Sequence, residues 1–240
     1  MNDIIKNILK QMTGRVGLYN YLSNWHVKYL KKVRRQNYNK HNKELLFLVD
    51  DILTSKGYTY WLSFGTLLGA YRDKAFIPHD NDLDIGMFWE NCKGVKEALQ
   101  DGGLNLFAIF YYGDYKKPDS MSYRFEYKNV YIDIDFFLHD DNNSSIIKNS
   151  GALFIKGEDY TIKEKYIPIQ IEDYSHPFSG LIKMQFMGRM FNVPANTEDY
   201  IIANYGNNYR TPDSTSDYHD YAKNIKVYPL EEKHGYMYLK

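Results

Sequence analysis

The chain has 240 residues, 44% hydrophobic, 25% charged and 17% aromatic, which suits one large domain or a domain with a helical appendage and permits a sizeable core. A single cysteine, Cys92, excludes an intrachain disulfide and argues against a cysteine zinc site, so it is expected as a reduced thiol packed as a small hydrophobe. No run approaches the roughly 18 consecutive apolar residues of a membrane span, and the start MNDIIKNILKQMTGR lacks the apolar segment of a signal peptide, so a cytoplasmic protein is expected.

The net charge is zero, but its two signs are segregated. Residues 1–43 carry ten basic residues against the single acid Asp3, which leaves 20 basic and 29 acidic residues downstream. We read 1–43 as a basic helical arm and 44–240 as the principal domain. Such an arm suits anionic lipid headgroups, nucleic acid or the acidic body, or is simply a solvated helix face.

In chain order, Leu45, Leu46, Leu48, Val49, Ile52 and Leu53 follow the spacing of an amphipathic helix that Gly57 ends. Tyr58–Phe64 reads as a strand, and Gly65-Thr66 leads into a short helix, LLGAYRD. Asp82–Phe88 alternates as a strand does, Val95–Gln100 reads as a helix, and Tyr123–Tyr127 with Asn129–Phe137 reads as a strand pair. Further on, DDNNSS is a polar turn; Gly151–Ile155, Lys163–Ile171 and Phe186–Val193 are strand candidates, the last closed by Pro194. Asn196–Asn204 is a helix capped by Asn196 or Thr197, YGNNYRTP is a loop, and the stretch after Pro212 carries no clear pattern.

The chemistry concentrates between residues 64 and 135. Asp80, Asp82 and Asp84 stand at every second position, so in an extended segment their carboxylates share one side and repel one another. Mg²⁺ or Mn²⁺, which prefer oxygen ligands, would relieve that repulsion. A second alternating pair, Asp133 and Asp135, lies on a strand that can pair beside the first. Upstream, Gly65 and Thr66 at a helix start offer backbone N–H groups and a hydroxyl to an anionic phosphate, and Arg72 on the same helix suits a bidentate contact. The bland alternative is an acidic calcium-binding or merely solvated loop, and the apolar Leu83 and Ile85 between the acids argue against a solvated one. The combination points to metal-dependent phosphoryl chemistry.

FGTLLGAYR, FIPHDNDLDI and YIDIDFF resemble the signature of the LicD/fukutin family, a branch of the nucleotidyltransferase-fold superfamily, and VPANTEDYIIANYGNNYRTP resembles its closing pattern; together they span roughly residues 44–212. The resemblance implies an α/β (α+β) fold, a mixed sheet flanked by helices, here preceded by a helical N-terminal arm. It also implies transfer of phosphocholine or a related polyol phosphate from a CDP-linked donor to a sugar hydroxyl of a cell-surface glycan, free or lipid-linked, such as lipopolysaccharide or capsule. Asp82 and Asp84 match the family's metal-binding pair, Asp80 its preceding acid, and Gly65 and Thr66 its phosphate turn. Asn81 stands where many members carry another acid, and DIDFF replaces the commoner D-I-F-P. Either Asp135 or Asp133 then completes the Mg²⁺ or Mn²⁺ site, with Asp135 favoured. Two alternatives stay open: transfer of the nucleotidyl group itself, and a non-catalytic glycan- or nucleotide-binding module. With the arm, the resemblance suggests peripheral contact with an anionic membrane at its cytoplasmic face and no nucleic-acid partner.

Other residues carry weaker signals. His79 suits either a donor-phosphate contact or a structural turn. The 24 tyrosines fit an aromatic cage for a quaternary ammonium or a sugar platform, or reflect composition alone. Lys116, Lys117 and Arg124 read as surface cations or pyrophosphate ligands, and Arg210 in the YGNNYRTP loop as a donor ligand.

Overall fold

The computed structural model describes residues 16–153, 166–212, 222, 224–229 and 232–239. The first described element is a 40-residue helix α1 (Val16–Ser55), which carries the sequence across position 43 without a break. Leu45, Leu46, Val49 and Leu53 are its buried stripe, and Tyr38, 1% exposed, meets Phe76 edge-on at 6.3 Å, so packing against the body begins before residue 44. Gly57 ends the helix at φ +77°, where the Tyr58 N–H closes back on the Leu53 carbonyl.

The strand expected over Tyr58–Phe64 is reduced to β1 (Trp61–Leu62), because the chain turns into helix α2 at Phe64 (Phe64–Leu68) and then a π-helical turn, Gly69–Asp73. The short edge β1 pairs with β2 (Asp82–Phe88), where a Cβ at Gly86 would lie 2.4 Å from the Trp61 indole. Helix α3 (Val95–Asp101) follows as expected. Strands β3 (Asn105–Asp114), β4 (Lys117–Tyr127) and β5 (Val130–Asp140) form a meander longer than the pattern suggested. The β4–β5 hairpin turns on Lys128 and Asn129, both at positive φ, as a two-residue turn of this hand requires.

Beyond Asp140 come β6 (Asn143–Leu153), β7 (Tyr166–Pro177), β8 (Leu181–Phe186), β9 (Arg189–Pro194), helix α4 (Thr197–Tyr205), β10 (Ile225–Val227) and β11 (His234–Leu239). The candidate Phe186–Val193 is the second half of a hairpin rather than one strand, because Met187 and Gly188 both take positive φ and reverse the chain. Parts of the candidates Gly151–Ile155 and Lys163–Ile171 lie outside the described residues. Asn196 stands before α4, but its side-chain oxygen accepts from Ser179, not from the helix.

Among the described residues nine strands share one sheet in the order β1-β2-β5-β4-β3-β11-β7-β10, and β6 pairs with both β7 and β5, so six of them close into a hydrogen-bonded ring. Among the described strands only β2 and β5 run parallel; the sheet is mixed and the fold is α+β with a helical N-terminal segment. Leu83 and Ile85 on β2 and Ile132 and Ile134 on β5 are buried with the α1 stripe, and Cys92 packs partly buried against the same core. The intervening residues, Asp82, Asp84, Asp133 and Asp135, point to the opposite face. Among the described residues no helix is long and apolar enough to cross a membrane.

Candidate active site

The parallel β2–β5 register sets Asp84 beside Asp133 and Gly86 beside Asp135, so the two alternating acid pairs lie along one sheet face. β4 adds Arg124 opposite Asp133 and Ser122 opposite Asp135. These groups line a cavity of about 860 Å³ whose walls, among the described residues, carry six carboxylates, Asp80, Asp82, Asp84, Asp133, Asp135 and Glu172, against two arginines, Arg72 and Arg124.

Arg124 Nε donates to Asp133 Oδ1 at 2.7 Å and its Nη2 to Asp133 Oδ2 at 2.5 Å, with a longer contact from Nη2 to Asp82 Oδ2 at 3.3 Å. A cation-to-carboxylate fork of this kind is strong. It corrects the reading of Arg124 as a surface cation and sets Asp133 apart from its neighbours. Asp82, Asp84 and Asp135 have no such fork.

Burial pushes the Asp82 carboxyl up to about 7, with the Asp133 charge adding to the rise and Arg124 opposing it. Its side chain still keeps 30% of its surface open, toward the cavity. Burial, then the charges of Asp82 and Asp80, hold Asp84 well above the usual carboxylate range; burial and the Asp133 charge do the same for Asp135. Asp80 is raised by burial, with the Asn81 N–H and the His79 charge pulling back. The row therefore holds more negative charge than the protein's own cations neutralise.

Those oxygen donors are the chemistry that Mg²⁺ and Mn²⁺ select, and the uncompensated charge fits a divalent ion. Among the described residues, no three acidic or histidine side chains already converge into a finished metal cage.

Gly65 lines the cavity, and its lack of a side chain is required by the acids: a Cβ there would lie 2.5 Å from Asp80 Oδ2 and 3.4 Å from Asp84 Oδ2. Thr66 has a different position from the one expected. It is 2% exposed, its hydroxyl oxygen accepts the Asp84 N–H at 2.8 Å, and its own N–H reaches Asp84 Oδ2 at 3.4 Å, so it ties α2 to β2 and does not face the cavity. Arg72 is at the cavity wall, with Nε and Nη2 on Asp73 and Nη1 on the Tyr209 carbonyl. His79 lies beside Asp80 at the same wall.

Arg210 is not brought to the site. It is 67% exposed, pairs with Glu198 at 2.5 Å, and lies outside the cavity lining, because the loop turns Tyr209 and Thr211 inward instead. Lys116 and Lys117 are exposed at the β3–β4 turn, away from the cavity. Tyr112, Tyr174, Tyr205 and Tyr209, with Phe64 and Phe110, form its aromatic lining. Asn149, Glu172 and Tyr174 carried no signal in the sequence, since they reach the cavity only through closure of the strand ring.

Residues 57–196 match the family described as LicD/FKTN/FKRP, nucleotidyltransferase domain. The chain is 33% identical over 200 residues to ribitol-5-phosphate transferase FKTN of Mus musculus, covering 81% of this chain and 39% of that protein. It is 32% identical over 200 residues to the Homo sapiens protein of the same name, with the same coverage. An uncharacterized protein of Rickettsia prowazekii is 29% identical over 139 residues, 55% of this chain and 48% of that protein. The chain thus spans about two fifths of the length of the first two relatives.

Proposed function

The chain belongs to the LicD/FKTN/FKRP nucleotidyltransferase-domain family, and on that premise we propose that it transfers a phospho-alcohol group, with Mg²⁺ or Mn²⁺, from a CDP-linked donor to a sugar hydroxyl of a glycan. Ribitol phosphate, named in the FKTN relatives, joins phosphocholine and other polyol phosphates as a candidate group. The observation that carries the reading is the row of half-buried carboxylates that lines one cavity together with Arg124 and Arg72.

In this reading Asp82, Asp84 and Asp135 are the metal ligands, with Asp80 at the edge of the set. The ion supplies positive charge against the donor pyrophosphate and the transferring phosphoryl group. Asp133 holds the Arg124 guanidinium in place, and the remaining Nη1 donors are free to meet a phosphate oxygen. Arg72 adds charge at the cavity wall. Thr66 locks the Asp84 backbone, which keeps the acid row in register with α2. A carboxylate of the row accepts the proton of the attacking sugar hydroxyl; its oxygen bonds to phosphorus as the bond to the CMP oxygen breaks. The basic N-terminal helix holds the enzyme at the anionic cytoplasmic face of a membrane carrying a lipid-linked acceptor.

The deciding experiment incubates the protein with Mg²⁺ or Mn²⁺, candidate glycans and CDP-ribitol, CDP-glycerol, CDP-choline or CDP-ethanolamine. CMP release with the alcohol phosphate on the glycan is expected. Label from the cytidyl half on the acceptor would establish nucleotidyl transfer instead, and tight donor binding without turnover would establish a binding module.

A further inference from the structure

The cavity continues past the acid row between β6 and β7, where Asn149, Glu172 and Tyr174 are 4%, 1% and 6% exposed. The strand register sets Asn149 opposite Tyr174 and Gly151 opposite Glu172, all on one face. A Cβ at Gly151 would lie 2.9 Å from the Tyr174 ring and 3.6 Å from Glu172 Cγ. The missing Cβ therefore lets the Tyr174 ring pack against β6 beside Glu172, whose Oε1 accepts from the Tyr174 hydroxyl.

The direction of the Asn149 amide is decided behind the cavity wall. His176 is fully buried between the rings of Tyr174 and Tyr200, 5.9 and 4.7 Å away and nearly parallel to both. Asn204 Nδ2 donates to the Tyr200 carbonyl at 2.9 Å, which fixes that amide's orientation, and the same nitrogen faces His176 Nδ1 at 3.3 Å. Asn224 Nδ2 approaches Nδ1 as well, at 3.4 Å. With donors on Nδ1, the ring proton sits on Nε2 and is donated to Asn149 Oδ1 at 2.9 Å. The Asn149 NH₂ is then left with no partner among the described residues, in a side chain that lines the cavity.

We propose that Asn149, oriented by His176, is the donor of a hydroxyl-recognition subsite in this part of the cavity, which takes a neutral polyhydroxylated chain or ring. A hydroxyl oxygen accepts from the amide N–H, whereas a trimethylammonium group offers no acceptor and leaves the amide unpaired in a buried wall. The inference rests on the phosphotransfer reading only for which molecule brings the hydroxyls, the donor's alcohol or the acceptor's sugar.

The test follows the Asn149 side-chain amide resonance in the ¹⁵N-labelled full chain, assigned by its loss in Asn149→Asp, which keeps the oxygen that His176 needs. Ribitol should shift this resonance and choline should not. Asn149→Asp, which removes the amide donor, should weaken ribitol binding about tenfold or more while the melting curve stays cooperative. A resonance unmoved by ribitol, or an Asn149→Asp protein that binds ribitol as the wild type does, would overturn the proposal. If CDP-ribitol binds more tightly than CDP and Asn149→Asp abolishes that advantage, the hydroxyls belong to the donor's alcohol. If the advantage survives while ribitol alone is lost, they belong to the acceptor's sugar. Ribitol binding with no CMP released from any CDP-alcohol would remove the phosphotransfer reading and leave the subsite standing.

Discussion

Arg124 and Asp133 face each other across the β4–β5 hairpin and share two hydrogen bonds, at 2.7 and 2.5 Å, so one acid of the row serves a guanidinium while its neighbours do not. Asp133→Asn should therefore weaken donor binding while leaving Mn²⁺ affinity little changed, whereas Asp135→Asn should weaken the metal first. Arg124→Ala should reduce CDP affinity by about 1.5–3 kcal/mol, the range of a hydrogen bond to a charged group. Titrating each variant with Mn²⁺ and with CDP separates these roles, and equal loss of metal affinity in both aspartate variants would return Asp133 to the ligand set.

Removing charge from the row should stabilise the metal-free protein. The folded Asp82 carboxyl titrates near 7, above its ordinary 3.8, so the folded state holds the proton longer than the unfolded chain does. Stability from this group is present below 3.8 and is lost as pH rises through about 7. Asp82→Asn and Asp84→Asn should raise the melting temperature at pH 8 without metal, and lower CMP release by orders of magnitude with saturating Mg²⁺. Near wild-type turnover in both variants would defeat the metal reading.

His176 predicts the opposite pH dependence. Burial depresses its imidazole from 6.5 to about 3, so the unfolded chain takes up a proton that the folded state refuses. The stability contributed by the neutral ring is complete above 6.5 and falls as pH drops toward 3, by about 1.4 kcal/mol per pH unit. His176→Phe should flatten this acid limb in denaturant titrations between pH 7 and 4. At pH 7 the same variant should be the less stable one, because Asn149 and Asn204 lose their partner.

The basic helix should be separable from catalysis only if the cut respects its packing. Tyr38 and Asn42 are buried, 1% and 7% exposed. Deleting residues 1–31 should lower binding to anionic vesicles by roughly 1 kcal/mol per basic residue removed near the surface, more at low salt, with activity on a soluble acceptor kept. Deleting 1–43 should destabilise the body as well. Vesicle binding that ignores lipid charge would refute the membrane role.

The sequence by itself determined the strand Asp82–Phe88, the helix of residues 95–100 to within a residue, and the gathering of Asp80, Asp82, Asp84, Asp133 and Asp135, because alternation along a strand dictates which side chains share a face. It also contained the Arg124–Asp133 pair unread: a two-residue turn at Lys128-Asn129 forces those positions opposite each other. Thr66 and Arg210 were misplaced for a reason local pattern cannot supply, since the direction of a side chain in a turn depends on what it packs against. The Asn149–His176 arrangement was decided by tertiary structure alone. Its members lie on β6, on β7, in α4 and beside β10, and they meet only because β6 pairs with both β7 and β5 to close the ring.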